Sequence, residues 1–166
     1  MLIRTEIGID APGIDRLLKN CFGSEQEAER VRQLREQGLL TLGMVATDDE
    51  GQILGYAAFS PVTLAGEDKG WVLLSPLAID AACRSLALDE QLVREALDTL
   101  NEFGYGAVVA RENLPCLTQV GFRPGEKLHY QLPADNRQQT LLIYPLANDP
   151  VGDEAGELQL SAPFYG

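Results

Sequence analysis

Residues 71–103 read WVLLSPLAIDAACRSLALDEQLVREALDTLNEF, and the rest of the fold can be built around them. The first part, Trp71 to Ile79, is apolar enough to predict a buried strand. A short bend around Cys83 follows, and apolar residues at helical spacing then predict a helix that Gly104 ends. A strand, a bend and a helix start together commonly bind anions, because the helix start carries positive potential.

Composition favours one globular domain with an acidic surface. The chain has 166 residues, of which 45% are hydrophobic and 23% are charged. Its 25 acidic and 13 basic residues give a formal net charge of −12. Such a field repels nucleic acid and anionic membrane surfaces, so neither is expected as a partner. It suits a small-molecule amine or a basic protein partner, although acidity serves solubility in many proteins.

Cysteine and histidine usage argues against a metal site and against disulfides. The three cysteines, Cys21, Cys83 and Cys116, are widely spaced, and His129 is the single histidine, so no zinc-binding spacing exists. The first residues lack a signal-peptide layout, and no apolar run approaches the length of a membrane helix. We therefore expect a reducing, cytoplasmic setting.

The remaining sequence predicts a mixed α/β sheet with helices on both faces. Asp10 is expected to cap a first helix, and the capping-box pattern Ser24–Glu27 to open a second. A polar loop is expected at 63–70, and the last twenty residues are expected to form an extension over the core. The expected strands are 2–9, 40–46, 53–60, 71–79, 107–110, 128–132 and 140–144, with a turn around Pro133–Asn136 and a short helix at 113–120.

Three local signatures resemble the GNAT superfamily of acyl-CoA-dependent N-acetyltransferases. They are the strand-bend-helix at 71–103, the short helix ending in Val120-Gly121-Phe122, and the acidic hairpin turn before Gly55–Ser60. More narrowly, the chain is similar to a group of small, largely uncharacterised bacterial members. That similarity lies in LIRTEIGIDAPGIDRLL, LNEFGYGAVV and GELQLSAPF.

The resemblance implies an α+β fold of the GNAT type, in which a mostly antiparallel sheet has a splayed central pair of strands. In this chain the pair would be 71–79 and 107–110, with an opening between them. The acetyltransferase domain would span residues 1–146, and residues 147–166 would form a C-terminal extension packed on the same domain.

The resemblance also implies acetyl-CoA as cosubstrate and gives the residues that would hold it. Backbone groups of Leu77, Ala78 and Ile79 would bind the pantetheine arm. The pyrophosphate would rest on the bend and helix start, which comprise Arg84, Ser85, Leu86, Ala87 and Leu88.

This bend departs from the family pattern Arg/Gln-x-x-Gly-x-Gly/Ala at two positions. Arg84 is kept, but Ala87 stands in place of the first glycine and Asp89 in place of the second small residue. A carboxylate ~5 Å from a phosphate charge costs about 3 kcal/mol at an effective dielectric constant of 20. A methyl at Ala87 is tolerated if φ is negative there. The motif is therefore predicted to be degenerate, with acetyl-CoA bound weakly or not at all.

The general-acid position of the family is also changed. Many members have a tyrosine in the short helix, and the matching residue is Leu117, which cannot donate a proton. The sequence therefore leaves the catalytic residue unknown. Ser75, on the fourth strand, is a candidate for a polar group facing the opening; alternatively, it packs beside Pro76 at a bulge.

Two functions stay open from the sequence. The chain is either an acetyltransferase that moves acetyl from acetyl-CoA to a primary amine, or a GNAT-like binding or regulatory module that has lost acyl-CoA. Ala87, Asp89 and Leu117 favour the second, and family membership favours the first. The loop carboxylates Glu67, Asp68 and Glu112 could receive an amine or be solvated charges, and a homodimer is one of the assemblies left open.

Overall fold

The computed structural model describes residues 1–112, 114–132, 135–146 and 155–165, with the backbone alone for residues 84, 85, 131, 132 and 135–140. In this part of the chain one sheet carries helices on both faces. The strands are β1 (Leu2–Thr5), β2 (Leu42–Thr47), β3 (Ile53–Leu64), β4 (Glu67–Ile79), β5 (Ala107–Ala110), β6 (Arg123–Leu132), β7 (Asp135–Pro145) and β8 (Gly156–Gln159). The helices are α1 (Ala11–Phe22), α2 (Gln26–Glu36), α3 (Leu88–Glu102) and α4 (Pro115–Val120).

The sheet order is β1-β2-β3-β4-β5-β7-β6-β8, and most neighbours are antiparallel. β4 and β5 are parallel, and their pairing runs only from Trp71–Ala107 to Leu74–Ala110. β5 ends there, whereas β4 continues to Ile79 beside β3 alone. The expected splayed pair and the GNAT-type mixed fold are thus confirmed.

An extra residue in β4 marks the point where the two strands part. Ala57 pairs with Leu77 and Phe59 pairs with Leu74, so two steps along β3 match three along β4. A bulge of this kind bends the strand and increases its twist. It carries β4 away from the end of β5 and so opens the sheet at this point.

The two faces of β4 belong to different apolar clusters. Val72 and Leu74 pack with α3 and α4, whereas Trp71 and Leu73 pack with the C-terminal residues around Phe164. The helical spacing predicted for α3 is confirmed, because its whole apolar stripe is buried, namely Leu88, Leu92, Val93, Ala96, Leu97 and Leu100. Within the described residues, no helix is both long and apolar enough to cross a membrane.

The prediction of a loop at 63–70 is wrong. β3 runs to Leu64 and β4 begins at Glu67, so only Ala65 and Gly66 connect them. Both have positive φ, 50° and 82°, as in the tight turns that match the twist of antiparallel strands. The exposed polar residues at this end of the β3–β4 hairpin have the composition of a loop. They nevertheless belong to β4, whose pairing with β3 continues to Leu64–Glu67.

Asp10 does not cap α1 as expected. Its carboxylate accepts two hydrogen bonds from Arg4, at 2.7 and 2.9 Å, and one from the Ile7 N–H at 2.8 Å. The bonds from Arg4 are the main reason that the pKa of Asp10 is lowered despite its burial. This side chain therefore ties the chain after β1, where a short 3-10 turn replaces the end of the expected strand, to the start of α1.

Helix α2 also begins differently from the expected capping box. Its residue before the first turn is Glu25, without a side-chain cap, although Ser24 Oγ accepts a hydrogen bond from the Gln26 N–H at 3.4 Å. Glu27 instead pairs with Arg30 at 2.8 Å. The pattern identified the helix start to within two residues but not its contacts.

The C-terminal segment contributes a strand that the sequence did not predict. β8 lies parallel to β6 and antiparallel to the end of β3. Leu158, Leu160 and Phe164 are buried there, so this segment completes an apolar cluster. Residues 147–154, and Pro133 and Ala134 of the expected turn, lie outside the described residues.

A buried polar network joins the N-terminus to α2. The Glu6 carboxylate accepts a hydrogen bond from Tyr56 Oη at 2.6 Å. It also forms an ion pair with Arg35 at 2.9 Å. Burial, followed by the charge of Glu6, raises the pKa of Tyr56 well above its usual value. The carboxylate lies directly over Gly43, where a Cβ atom would occupy the same space.

We expect Gly43→Ala to lower the free energy of unfolding by about 1–3 kcal/mol, because the new methyl displaces Glu6 from both partners. Urea denaturation measures the change. Gly8→Ala is the matched control, since a Cβ there meets no atom within 4 Å. Equal costs for the two variants would show that Glu6 moves aside freely.

Candidate functional site

The free edge of β4 borders a cavity of about 310 Å³. This cavity lies between the end of α1 and the starts of α3 and α4. Its walls include the predicted pantetheine-binding residues Leu77, Ala78 and Ile79, together with Cys21, Phe22, Asp89, Leu114, Pro115 and Cys116. The structure therefore brings the predicted strand residues and the start of α3 to one cavity.

The predicted bend is a 3-10 turn at Ala81–Leu86. The Asp80 carboxylate caps it by accepting a hydrogen bond from the Ala82 N–H at 2.9 Å. Leu86 is exposed, whereas Leu88 points into the core, so a ligand could meet Leu88 only through its backbone. Arg84 and Ser85 belong to this turn, but their side chains lie outside the described part.

The negative φ that would make a methyl at Ala87 easy to tolerate is not what the structure has. The φ of Ala87 is 52° and its ψ is 32°, the left-handed conformation that glycine adopts with least strain. The backbone at this position therefore has the shape that favours glycine, even though the residue is alanine. The substitution leaves the turn into α3 intact and adds a methyl group to it.

Asp89 lies on the cavity wall in the first turn of α3. Its Oδ1 accepts a hydrogen bond from the Glu90 N–H at 2.8 Å. Burial is the main reason that the pKa of Cys116 is raised to about 12, and the neighbouring Asp89 carboxylate adds to the shift. This end of the cavity is therefore acidic, and Cys116 remains a neutral thiol at physiological pH.

Ser75 lies at the closed end of the opening, directly after the last pair between β4 and β5. It is buried at the bulge, and its Oγ accepts a hydrogen bond from Arg111 at 3.3 Å. The alternative in which Ser75 packs beside Pro76 at the bulge agrees with this position, and its role at the opening stays a prediction. Among the candidate residues, Ser75 is therefore the one that lies at the point where β4 and β5 part.

Arg111, which donates a hydrogen bond to Ser75, is a residue that the sequence reasoning did not identify. It is the first residue after β5, and its guanidinium lies 5.0 Å from the centre of the Phe164 ring. Burial lowers its pKa. A basic residue immediately after a buried parallel strand was the available signal, since ligands often bind at the carboxyl ends of such strands.

The other candidates are distributed away from the cavity. Leu117 is 1% exposed and packs in the core beneath α3, so the residue that the resemblance matches to a general acid is a core side chain. Glu67 and Asp68 begin β4, at the end of the strand opposite Ile79. Trp71 is a core residue. Among the described residues, no group of three or more His, Cys, Asp or Glu side chains could hold a metal ion.

A larger cavity of about 470 Å³ lies elsewhere, between α1 and the β2–β3 turn. Its charged lining is mixed, with Arg4, Arg16, Asp10, Glu50 and Asp80. Arg4 and Asp10 pair with each other, so neither is available as an unpaired charge. We assign the functional site to the smaller cavity because it borders the free strand edge.

Comparisons with known proteins agree with this geometry. No family model matches the sequence. The chain is 46% identical over 164 residues to the uncharacterised N-acetyltransferase YhbS of Escherichia coli K12, and the alignment covers 99% of this chain and 98% of YhbS.

Solved structures show the same relationship. The crystal structure of the GNAT family N-acetyltransferase YhbS from Escherichia coli in complex with CoA is 47% identical, with a TM-score of 0.91 over 98% of this chain and 91% of that one. A GNAT family acetyltransferase from Brucella melitensis in complex with acetyl-CoA is 28% identical, with a TM-score of 0.81 over 98% and 97% of the two chains. The chain belongs to the GNAT family of N-acetyltransferases.

Proposed function

We propose that this protein transfers the acetyl group of acetyl-CoA to a primary amine. The observation that carries the proposal is that β4 extends beyond the end of β5. The extra length of β4 has a backbone edge that borders a cavity. Support also comes from the Escherichia coli relative, whose crystal structure contains CoA. In this proposal the cosubstrate lies along the edge between Ser75 and Ile79.

The backbone is suited to hold the pantetheine arm. From Leu77 to Ile79, β4 pairs with β3 on one side, and its other side faces the cavity, where the Ile79 carbonyl accepts a hydrogen bond from Cys21 Sγ at 3.3 Å. An extended chain with amide groups can bind such an edge as an added strand would. Leu77 and Ala78 add apolar walls, which exclude water from the arm.

The start of α3 is suited to the pyrophosphate in shape but not in charge. The first N–H groups of a helix have no partners within the helix and attract anions. Ala87 gives the backbone the turn that a glycine would give. Asp89, however, places a carboxylate at the same helix start and takes the Glu90 N–H. The residues therefore fit acetyl-CoA, with an electrostatic penalty at one end.

Acetyl-CoA supplies an acetyl group activated as a thioester. In the proposed site, Ser75 and the backbone around the bulge position the reacting group at the closed end of the opening. Ser75 Oγ accepts a hydrogen bond from a cationic donor, so its own proton is free to point toward a reactant or a water molecule. Leu117 cannot move a proton, and solvent or Ser75 takes that role here.

The second candidate is a binding module that has lost acyl-CoA, and Asp89 is the observation that favours it. Thermal unfolding with and without millimolar acetyl-CoA separates the two functions. A ligand at 100 times its Kd stabilises the fold by about 2.7 kcal/mol, or roughly 5–11 °C for a domain of this size. We expect a rise, followed by CoA thiol release when an amine is added; no rise against a salt-matched control would favour the module.

We expect Asp89→Asn to tighten acetyl-CoA binding by about three- to thirtyfold, because it removes a charge near the pyrophosphate while an amide oxygen can still accept the Glu90 N–H. Isothermal titration calorimetry measures the change. Asp98→Asn on the exposed face of α3 is the matched control for net charge. An equal gain in both variants would mean that only the overall field matters.

A further inference from the structure

Arg111 carries a positive charge that is not in an ion pair with any carboxylate in the described part of the chain. Its guanidinium is largely buried, donates one hydrogen bond to the neutral Ser75 and lies over the Phe164 ring. Its Nε has no hydrogen-bond partner. Among the residues that the structure describes, no acidic side chain lies within 4.0 Å of it.

The nearby acidic residues do not form an ion pair with Arg111. Glu27 is already paired with Arg30 at 2.8 Å, and Arg30 lies on the same Phe164 ring, 5.1 Å from its centre. Glu112 is exposed and does not form an ion pair with Arg111. Buried charges in proteins are normally paired, and an unpaired one is costly. Arg111 is therefore a buried cation without an ion pair among the described residues, although Glu112 and Glu27 act on it from a greater distance.

In the proposed transfer the acceptor meets the thioester near Ser75, and Arg111 contacts Ser75 directly. The last pair between β4 and β5 is Leu74–Ala110, and both side chains pack on the α3 face. Ser75 and Arg111 come next along each strand, and Arg111 contacts Phe164 on the opposite face. A ligand that starts at α3 and follows the free edge therefore ends near Ser75, with Arg111 on its far side.

The guanidinium is also held in one orientation. Ser75 fixes one of its nitrogen atoms and the Phe164 ring supports its plane. Phe164 is buried and is itself supported by Arg30 on α2. A planar donor fixed in this way loses little entropy when it binds a carboxylate with two parallel hydrogen bonds.

We propose that Arg111 is a specificity-determining residue, which binds a carboxylate carried by the acceptor amine. This inference rests on the proposed acetyl transfer and names its acceptor class, an amine with a carboxylate a few bonds from the amino group. The ammonium group of such an acceptor suits the acidic chain as a whole, and its carboxylate suits a buried guanidinium that has no ion pair among the described residues.

The test compares acceptors that differ only in the carboxylate. Glycine, β-alanine, 4-aminobutyrate and 6-aminohexanoate are each paired with the alkylamine that lacks the carboxylate, and acetylation is followed by mass spectrometry. For at least one pair we expect wild type to favour the amino acid by about tenfold or more in kcat/KM, the usual effect of a charge-assisted hydrogen bond. Arg111→Gln should reduce that ratio to near one, and Arg111→Lys should retain part of it.

Two features keep the result independent of folding and of net charge. The ratio for one pair in one sample does not depend on how much of a variant is folded. Arg94→Gln, which removes an exposed charge from α3, should leave the ratio within about twofold of wild type. A ratio near one for every pair in wild type, or an unchanged ratio in Arg111→Gln, overturns the proposal.

A binding measurement separates failure of this inference from failure of the proposed function. Acetyl-CoA affinity is measured by calorimetry for wild type and Arg111→Gln and should agree within about twofold. With CoA present, the N-acetyl amino acids should bind wild type about tenfold more tightly than their carboxamides. Acetyl-CoA binding without any such preference would leave the transferase proposal standing and overturn the role of Arg111, even if no small amine is acetylated.

Discussion

The candidate site depends on the unequal lengths of β4 and β5, two neighbouring parallel strands. β5 ends at Ala110, whereas β4 continues to Ile79 after a bulge that turns it away. An unpaired strand edge inside a protein is unfavourable unless something binds its N–H and C=O groups. Here the edge borders a cavity, so a ligand or water can bind it. In the proposed function, this edge would bind an extended amide chain without assigning any side chain to that task.

Charge is distributed unevenly along this edge. Asp89 and Glu90, in the first turn of α3, lie near the open end of the β4 edge. Arg111 lies at the closed end of that edge. A cosubstrate whose phosphates lie at the open end meets a carboxylate there, and its affinity must come from the backbone. The closed end favours an anionic group instead, which acetyl-CoA does not present at its thioester. In the proposed transfer, the same polarity would weaken the binding of acetyl-CoA and favour an acceptor that carries a carboxylate.

The sequence could predict the elements whose signal is local. The stripe on α3 and the short strand at Ala107–Ala110 follow directly from apolar spacing. Features that depend on distant partners could not be predicted in this way. Asp10 is a good capping residue, but Arg4 binds it more strongly, and β8 forms only because β3 and β6 offer it edges. Arg111 was missed because its surroundings come from three separate segments, around Ser75, Arg30 and Phe164.

The bend before α3 shows how a motif can change in sequence while its backbone persists. Alanine at position 87 keeps the left-handed conformation, so the chain still turns into the helix as a glycine would turn it. Because α3 begins at the next residue, its first N–H groups still face the end of the cavity. The change at position 89 is of another kind, since it alters charge and not shape. The departures from the family pattern therefore act on the affinity for an anion and leave the architecture that would bind it in place.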